Sequence, residues 1–138
     1  MKNYNELLDK HNRGKQMISD VQTWIENAGQ TTNTDNEAQR NLYAKLITEE
    51  YGEFVSAFVD GDDTEQLDAV CDLIWVTIGY ALSRGWDING AFQEVVRSNF
   101  SKFDPATGMP IKNEETGKIM KSESFSPPNL SPFLSKTL

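Results

Sequence analysis

Apolar positions recur at helical spacing in four stretches of the chain. Between Met17 and Ala28, the residues Met17, Val21, Trp24, Ile25 and Ala28 share one face, and Gly29 follows as a C-cap. After the polar loop GQTTN, Thr34-Asp35-Asn36-Glu37 has the form of a capping box, with Thr34 at the N-cap and Glu37 at the third position. The helix it opens is predicted to reach about Val59 and to turn Leu42, Leu46, Phe54, Ala57 and Phe58 inward. Asp60-Gly61-Asp62-Asp63 reads as a turn. A third helix, capped by Asp63 and running from Thr64 to about Arg84, carries Leu67, Val70, Cys71, Ile74, Trp75, Ile78 and Leu82, and Gly85 ends it. Asp87 can cap a fourth, bearing Ile88, Phe92, Val95, Val96 and Phe100. Past Asp104-Pro105 the helical period stops. Met109-Pro110-Ile111-Lys112 and Lys118-Ile119-Met120-Lys121 flank a turn at Asn113–Gly117 and predict a short β-hairpin. The tail SPPNLSPFLSKTL is Pro-rich and expected to be extended, packed on the body or on a neighbour. The fold expected is all-α: four helices over about 15–103, then a hairpin arm and tail over about 104–138.

Composition narrows the function. A chain of 138 residues fits one domain, and 38% apolar with 25% charged residues is the make-up of a folded protein. With 13 Lys and Arg against 21 Asp and Glu the net charge is −8, which disfavours nucleic acid as a partner. The longest apolar-rich run, LIWVTIGYAL, is too short to span a bilayer, and MKNYNELLDK has no apolar core of a signal peptide, so no membrane role is expected. A single cysteine cannot form an internal disulfide, which points to the cytoplasm and makes Cys71 a small core residue. One Cys and one His, His11, cannot build a zinc site of the usual kind, and the Glu-x-x-His motifs of a di-iron bundle are missing. His11 is given no role.

The informative residues are carboxylates. Glu49, Glu50 and Glu53 follow the apolar stretch LYAKLI, and Asp68 and Asp72 lie within LDAVCDLIWV. Leu67, Val70, Cys71, Ile74 and Trp75 surround Asp72 in sequence, so it cannot avoid the buried side altogether. A lone buried carboxylate is costly unless paired, protonated or bound to a metal. At about 1.5 Å per residue, Glu50 lies roughly 15 Å before the turn and Asp72 roughly 13.5 Å beyond it, so antiparallel packing sets them level. Glu50 and Glu53 are i,i+3, and Asp68 and Asp72 are i,i+4, so each pair shares a face. Four carboxylates with no Lys or Arg at a matching position repel one another unless a divalent cation neutralises them. Their all-oxygen chemistry favours Mg²⁺ or Mn²⁺.

Glu49-Glu50-Tyr51-Gly52-Glu53, an EExxE motif, followed by a turn and Asp68-x-x-x-Asp72, resembles the all-α NTP pyrophosphohydrolases: the MazG-like group, which includes phosphoribosyl-ATP pyrophosphohydrolase and dimeric dUTPase. Gly85-Trp86-Asp87, the stretch Phe92–Lys102, and Gly117–Lys121 with Pro127-Pro128 are similar to its small single-domain branch, found in bacteria and their phages. The likeness covers about 15–134. One departure stands out. The group's second motif is ExxD, yet the residue three before Asp72 is Ala69, and the acid is Asp68; Glu65-x-x-Asp68 is the alternative register.

The resemblance implies a MazG-like four-helix domain and the reaction NTP + H₂O → NMP + pyrophosphate. It implies Mg²⁺, or Mn²⁺ in its place, on Glu50, Glu53, Asp68 and Asp72, with Glu49 or Glu53 as general base. Lys and Arg are sparse in the central helices and return after residue 96, so the C-terminal part is expected to close over the polyphosphate. The candidates are Asn99 and Lys102, then Arg97, Lys118 and Lys121, with Trp24 or Trp75 as a surface for the base. Apolar surface on the third and fourth helices, together with the resemblance, implies a homodimer or homotetramer in the cytoplasm, the host's if the gene is a phage's. Phosphoribosyl-ATP pyrophosphohydrolase, dUTPase and alarmone hydrolase are rivals within the class. A non-catalytic acidic helical protein holding a structural cation is the rival outside it.

Overall fold

A computed structural model describes residues 4–135, with side chains from residue 15 onward. The chain forms α1 (Tyr4–Asn27), α2 (Glu37–Asp60), α3 (Asp63–Ser83), α4 (Ile88–Phe100), β1 (Ile111–Lys112), β2 (Ile119–Met120) and a closing 3₁₀ turn at Ser131–Phe133. It divides into two compact units, one ending at Ile88 and holding α1–α3, the other spanning Asn89–Leu134. α4 thus groups with the hairpin and the tail.

The boundaries follow local chemistry, with some shifts from expectation. α1 begins well before Met17; His11 lies within it, and its side chain is outside the described residues. The N-cap of α2 is Asn36 rather than Thr34: its side-chain oxygen accepts from the Gln39 amide. Asp62, not Asp63, caps α3 by accepting from the Glu65 amide. In both cases the cap moves to the residue whose oxygen reaches the third amide of the helix. Gly61, at φ 68°, ends α2 in the left-handed region and turns the chain back within two residues.

That tight turn sets the register of the α2–α3 hairpin, and four cross-helix pairs display it. Gln66 Nε2 donates to the Ala57 carbonyl near the turn, the carboxylates of Glu50 and Asp72 meet midway, Tyr43 lies against Gly79, and Gln39 donates to Ser83 Oγ at the far end. The core of this unit is Val21 and Ile25 from α1, Tyr43 from α2, and Val76 and Leu82 from α3, flanked by Leu46, Ile47, Trp75, Ile78, Tyr80 and Ile88. Much of the predicted inward face is open instead: Leu42, Phe58, Leu67, Val70 and Ile74 are exposed, and so is Cys71. Two long helices packed along one seam bury one stripe each, and the apolar residues off that seam stay outside.

Gly79 is where the seam is closest. An added Cβ would overlap Tyr43 Cε1 and lie 2.6 Å from Cδ1, and the Tyr43 hydroxyl is held by Gln30 Oε1 at 2.7 Å. Gly79→Ala is expected to cost about 1–3 kcal/mol, as overpacking does. Thermal unfolding reads this as a lower Tm. An unchanged Tm would mean that α3 can slide off α2 at no cost.

In the second unit the hairpin pairs Ile111 with Met120 and Lys112 with Ile119, as expected. The tail is held to α4. Glu94 accepts two bonds from Arg97 (2.9 and 2.8 Å) and one from the Asn129 amide (3.0 Å), and Arg97 also donates to the Pro127 carbonyl. Led by the Arg97 bond, these donors bring Glu94 down to about 2.

Candidate active site

The α2–α3 register brings carboxylates together at mid-hairpin. Glu50, Glu53 and Asp72 each place an oxygen within 4.8 Å of the others. Asp68 adjoins them, within hydrogen-bonding reach of Asp72 and close enough to act on Glu50. Glu49 is exposed and stands outside the trio; Glu65, at the exposed start of α3, stands outside it too. Ala69, where the ExxD motif would have its Glu, is buried at 2% exposure, so that side of the helix takes part in packing. The acid one residue earlier, Asp68, lies on the carboxylate side.

Burial and like charge act in the same direction here. Desolvation first, then Glu53, Asp72 and Asp68, push Glu50 up from 4.5 to about 7. Asp72 is raised as well, by burial and then by Asp68 and Glu53. Glu50 Oε2 is buried without a hydrogen-bond partner among the described residues. The ion pairs of those residues, Arg40 and Arg84 with Asp35 and Arg97 with Glu94, do not touch the cluster. An orphaned buried oxygen beside two carboxylates, with no ion pair to balance them among the described residues, fits a hard divalent ion bound through oxygen.

Residues 18–99, more than half of the sequence, match the model of the phosphoribosyl-ATP pyrophosphohydrolase family. The chain belongs to this family. It is therefore a pyrophosphohydrolase of the MazG-like superfamily, a hydrolase acting on phosphoric anhydride bonds, and such enzymes generally use divalent metals. No curated protein matches the chain. The match takes in the whole carboxylate cluster and ends at Asn99, so Lys102, Lys118 and Lys121 lie beyond the part shared with this pyrophosphohydrolase family. No helix among the described residues is long and apolar enough to cross a membrane.

The remaining candidates are distributed over both units. In the first, Trp24 and Trp75 meet edge to face with ring centres 5.7 Å apart. Trp75 lines a groove of about 210 Å³ with Met17, Val21, Cys71, Ile74 and Ile78, and Asp20 is its one carboxylate. Cys71 is thus an exposed wall residue of that groove, correcting its expected place in the core. In the second unit Arg97 is engaged by Glu94 and the tail, Asn99 is exposed, and Lys118 is exposed just before β2. Lys102 and Lys121 both lie over the ring of Phe125, at 5.9 and 4.9 Å from its centre. Sequence reasoning passed over Phe125 and Glu94. The i,i+3 spacing of Glu94 and Arg97 was a signal for the second, and the lone aromatic in SESFSPP for the first.

Proposed function

We propose that the protein is a Mg²⁺-dependent nucleoside triphosphate pyrophosphohydrolase that converts (d)NTPs to (d)NMPs and pyrophosphate and so controls a nucleotide pool. The observation that carries this reading is the half-buried Glu50, whose Oε2 is buried without a hydrogen-bond partner among the described residues, grouped with Glu53 and Asp72 on a chain of this family. Glu50, Glu53, Asp68 and Asp72 would hold the ion, Mn²⁺ serving in place of Mg²⁺. When bound, it supplies charge neutralisation for the phosphates and a more acidic water. The protein's own part is positioning and proton transfer. Glu49 or Glu53 takes the proton of the water that attacks the α-phosphorus, and the α–β anhydride bond breaks with pyrophosphate leaving.

Substrate contacts are assigned to Asn99, Arg97, Lys102, Lys118 and Lys121 for phosphate oxygens, and to Trp75 and Trp24 for the base. Arg97 keeps two bonds to Glu94, so its share is the smallest. The exposed apolar residues Phe58, Val59, Leu67 and Ile74 support a homodimer or homotetramer, and the single unpaired cysteine supports a cytoplasmic setting. A second reading, hydrolysis of phosphoribosyl-ATP, has the family match in its favour. Comparing kcat/KM for the eight common NTPs and dNTPs, dITP, dUTP and phosphoribosyl-ATP separates the two. A common nucleotide at the top of the ranking is expected; phosphoribosyl-ATP leading by orders of magnitude would replace the first reading with the second.

A further inference from the structure

Phe125 is the centre of a built feature in the second unit. The serines alternating around it fasten its segment to the turn after α4. Ser122 Oγ donates to the Ser101 carbonyl, Ser124 Oγ to the carbonyls of Ser101 (2.8 Å) and Phe103 (3.1 Å), and the Ser126 amide to Ser101 Oγ (2.8 Å). The Phe125 amide itself donates to the Ser122 carbonyl. These bonds fix the half-buried ring beside two residues that flank the seam, Lys102 next to Ser101 and Lys121 next to Ser122. Both ammonium groups use the same ring, at 5.9 and 4.9 Å from its centre. Glu123 and Asp104 are the carboxylates of these segments, and neither forms an ion pair with Lys102 or Lys121 among the described residues. Two like charges that rest on one ring, neither of them in an ion pair among the described residues, suit an anion that carries charge on more than one group.

We infer that Phe125 is a positioning residue that presents Lys102 and Lys121 together to a polyphosphate chain. This rests on the substrate assignment above and deepens it. The aromatic face contributes no charge; it restrains two long side chains whose freedom would otherwise be lost on binding. Leu at the position fills the space and gives the ammonium groups nothing to rest on, whereas Tyr keeps the face.

The test uses the full chain and two readouts: turnover of the best (d)NTP, and affinity for inorganic tripolyphosphate by calorimetry, with orthophosphate as control. F125L is expected to raise KM and weaken tripolyphosphate about fivefold, the scale of a lost cation–π contact, with the loss in KM rather than kcat. F125Y is expected to restore both, and the salt dependence of KM to flatten in F125L. Unchanged KM and tripolyphosphate affinity in F125L would overturn the inference, as would a loss that F125Y fails to rescue. Should F125L not fold, K102M/K121M, altered only at exposed or half-exposed positions, is expected to weaken tripolyphosphate about tenfold or more, two charge contacts being removed; an unchanged affinity overturns the inference. Wild-type protein that binds tripolyphosphate in this Phe125-dependent way, yet turns over no nucleotide, would sustain the anion site and reject the proposed reaction.

Discussion

Asp72→Asn is expected to remove pyrophosphate release while leaving the fold at least as stable as before. The side chain keeps its shape and loses its charge. Asp72 is half-buried, within 4.8 Å of Glu50 and Glu53, and raised by burial and by Asp68 and Glu53, so the charged form is disfavoured where it stands. Neutralising it relieves repulsion in the metal-free protein. On the proposed function, the same change would withdraw one anionic oxygen from the bound ion, and electrostatic support of several kcal/mol would go with it. A fall in kcat/KM of about a hundredfold or more follows from a loss of that size. Glu50→Gln is expected to behave alike, because burial and the neighbouring carboxylates push Glu50 up to about 7. Steady-state kinetics and a metal-free melting curve, taken on the same preparations, check both halves. Full turnover in D72N would show that the proposed ligands are not the ligands; a collapse of Tm would assign Asp72 a structural role beyond its contact with Asp68.

The second large effect is the response of the metal-free protein to pH. Glu50 titrates at about 7 in the fold, against 4.5 as its ordinary value. Between those values the folded state holds a proton that the unfolded chain has released, so stability falls as pH rises through this window. Below 4.5 both states are protonated and the penalty is absent; above about 7 it is fully present. Asp72, raised from 3.8, acts in the same direction. Metal-free protein should therefore melt several degrees lower at pH 8 than at pH 5.5. Mg²⁺ should recover most of the difference at pH 8 and little of it at pH 5.5, where protons compete for the same oxygens. In E50Q the pH slope should flatten and the Mg²⁺ effect shrink. A slope in E50Q equal to that of the wild type would place the titrating group elsewhere.

The register that makes this site was legible because it depends on counting. A two-residue turn and a fixed rise per residue put Glu50 opposite Asp72 before any side chain was placed, and the same arithmetic puts Tyr43 at Gly79. The hairpin at β1 and β2 was legible for a similar reason, two short runs around a Gly-containing turn. Caps were misplaced by one or two residues, since Thr34, Asp35 and Asn36 all have capping oxygens and only backbone geometry chooses Asn36. Burial was the weakest reading. Leu67, Val70, Cys71 and Ile74 form an apolar run in sequence, but the α2–α3 seam runs through Ala69, Val76, Gly79 and Leu82, and small residues at Ala69 and Gly79 carry no hydrophobic signal of their own. Asp72 was thus placed correctly near a buried region, although the neighbours thought to bury it are mostly exposed. Phe125 was invisible because its significance comes from lysines 23 and 4 residues away, joined by serine hydrogen bonds that no periodicity announces.

The most direct test of the account is to follow one (d)NTP with the wild-type enzyme, starting the reaction with Mg²⁺ and reading nucleoside monophosphate, pyrophosphate and orthophosphate separately. Monophosphate and pyrophosphate appearing one for one, only after Mg²⁺ is added and without orthophosphate, is the result that the proposed function predicts. Orthophosphate and a nucleoside diphosphate, or equal turnover in excess chelator, would contradict it.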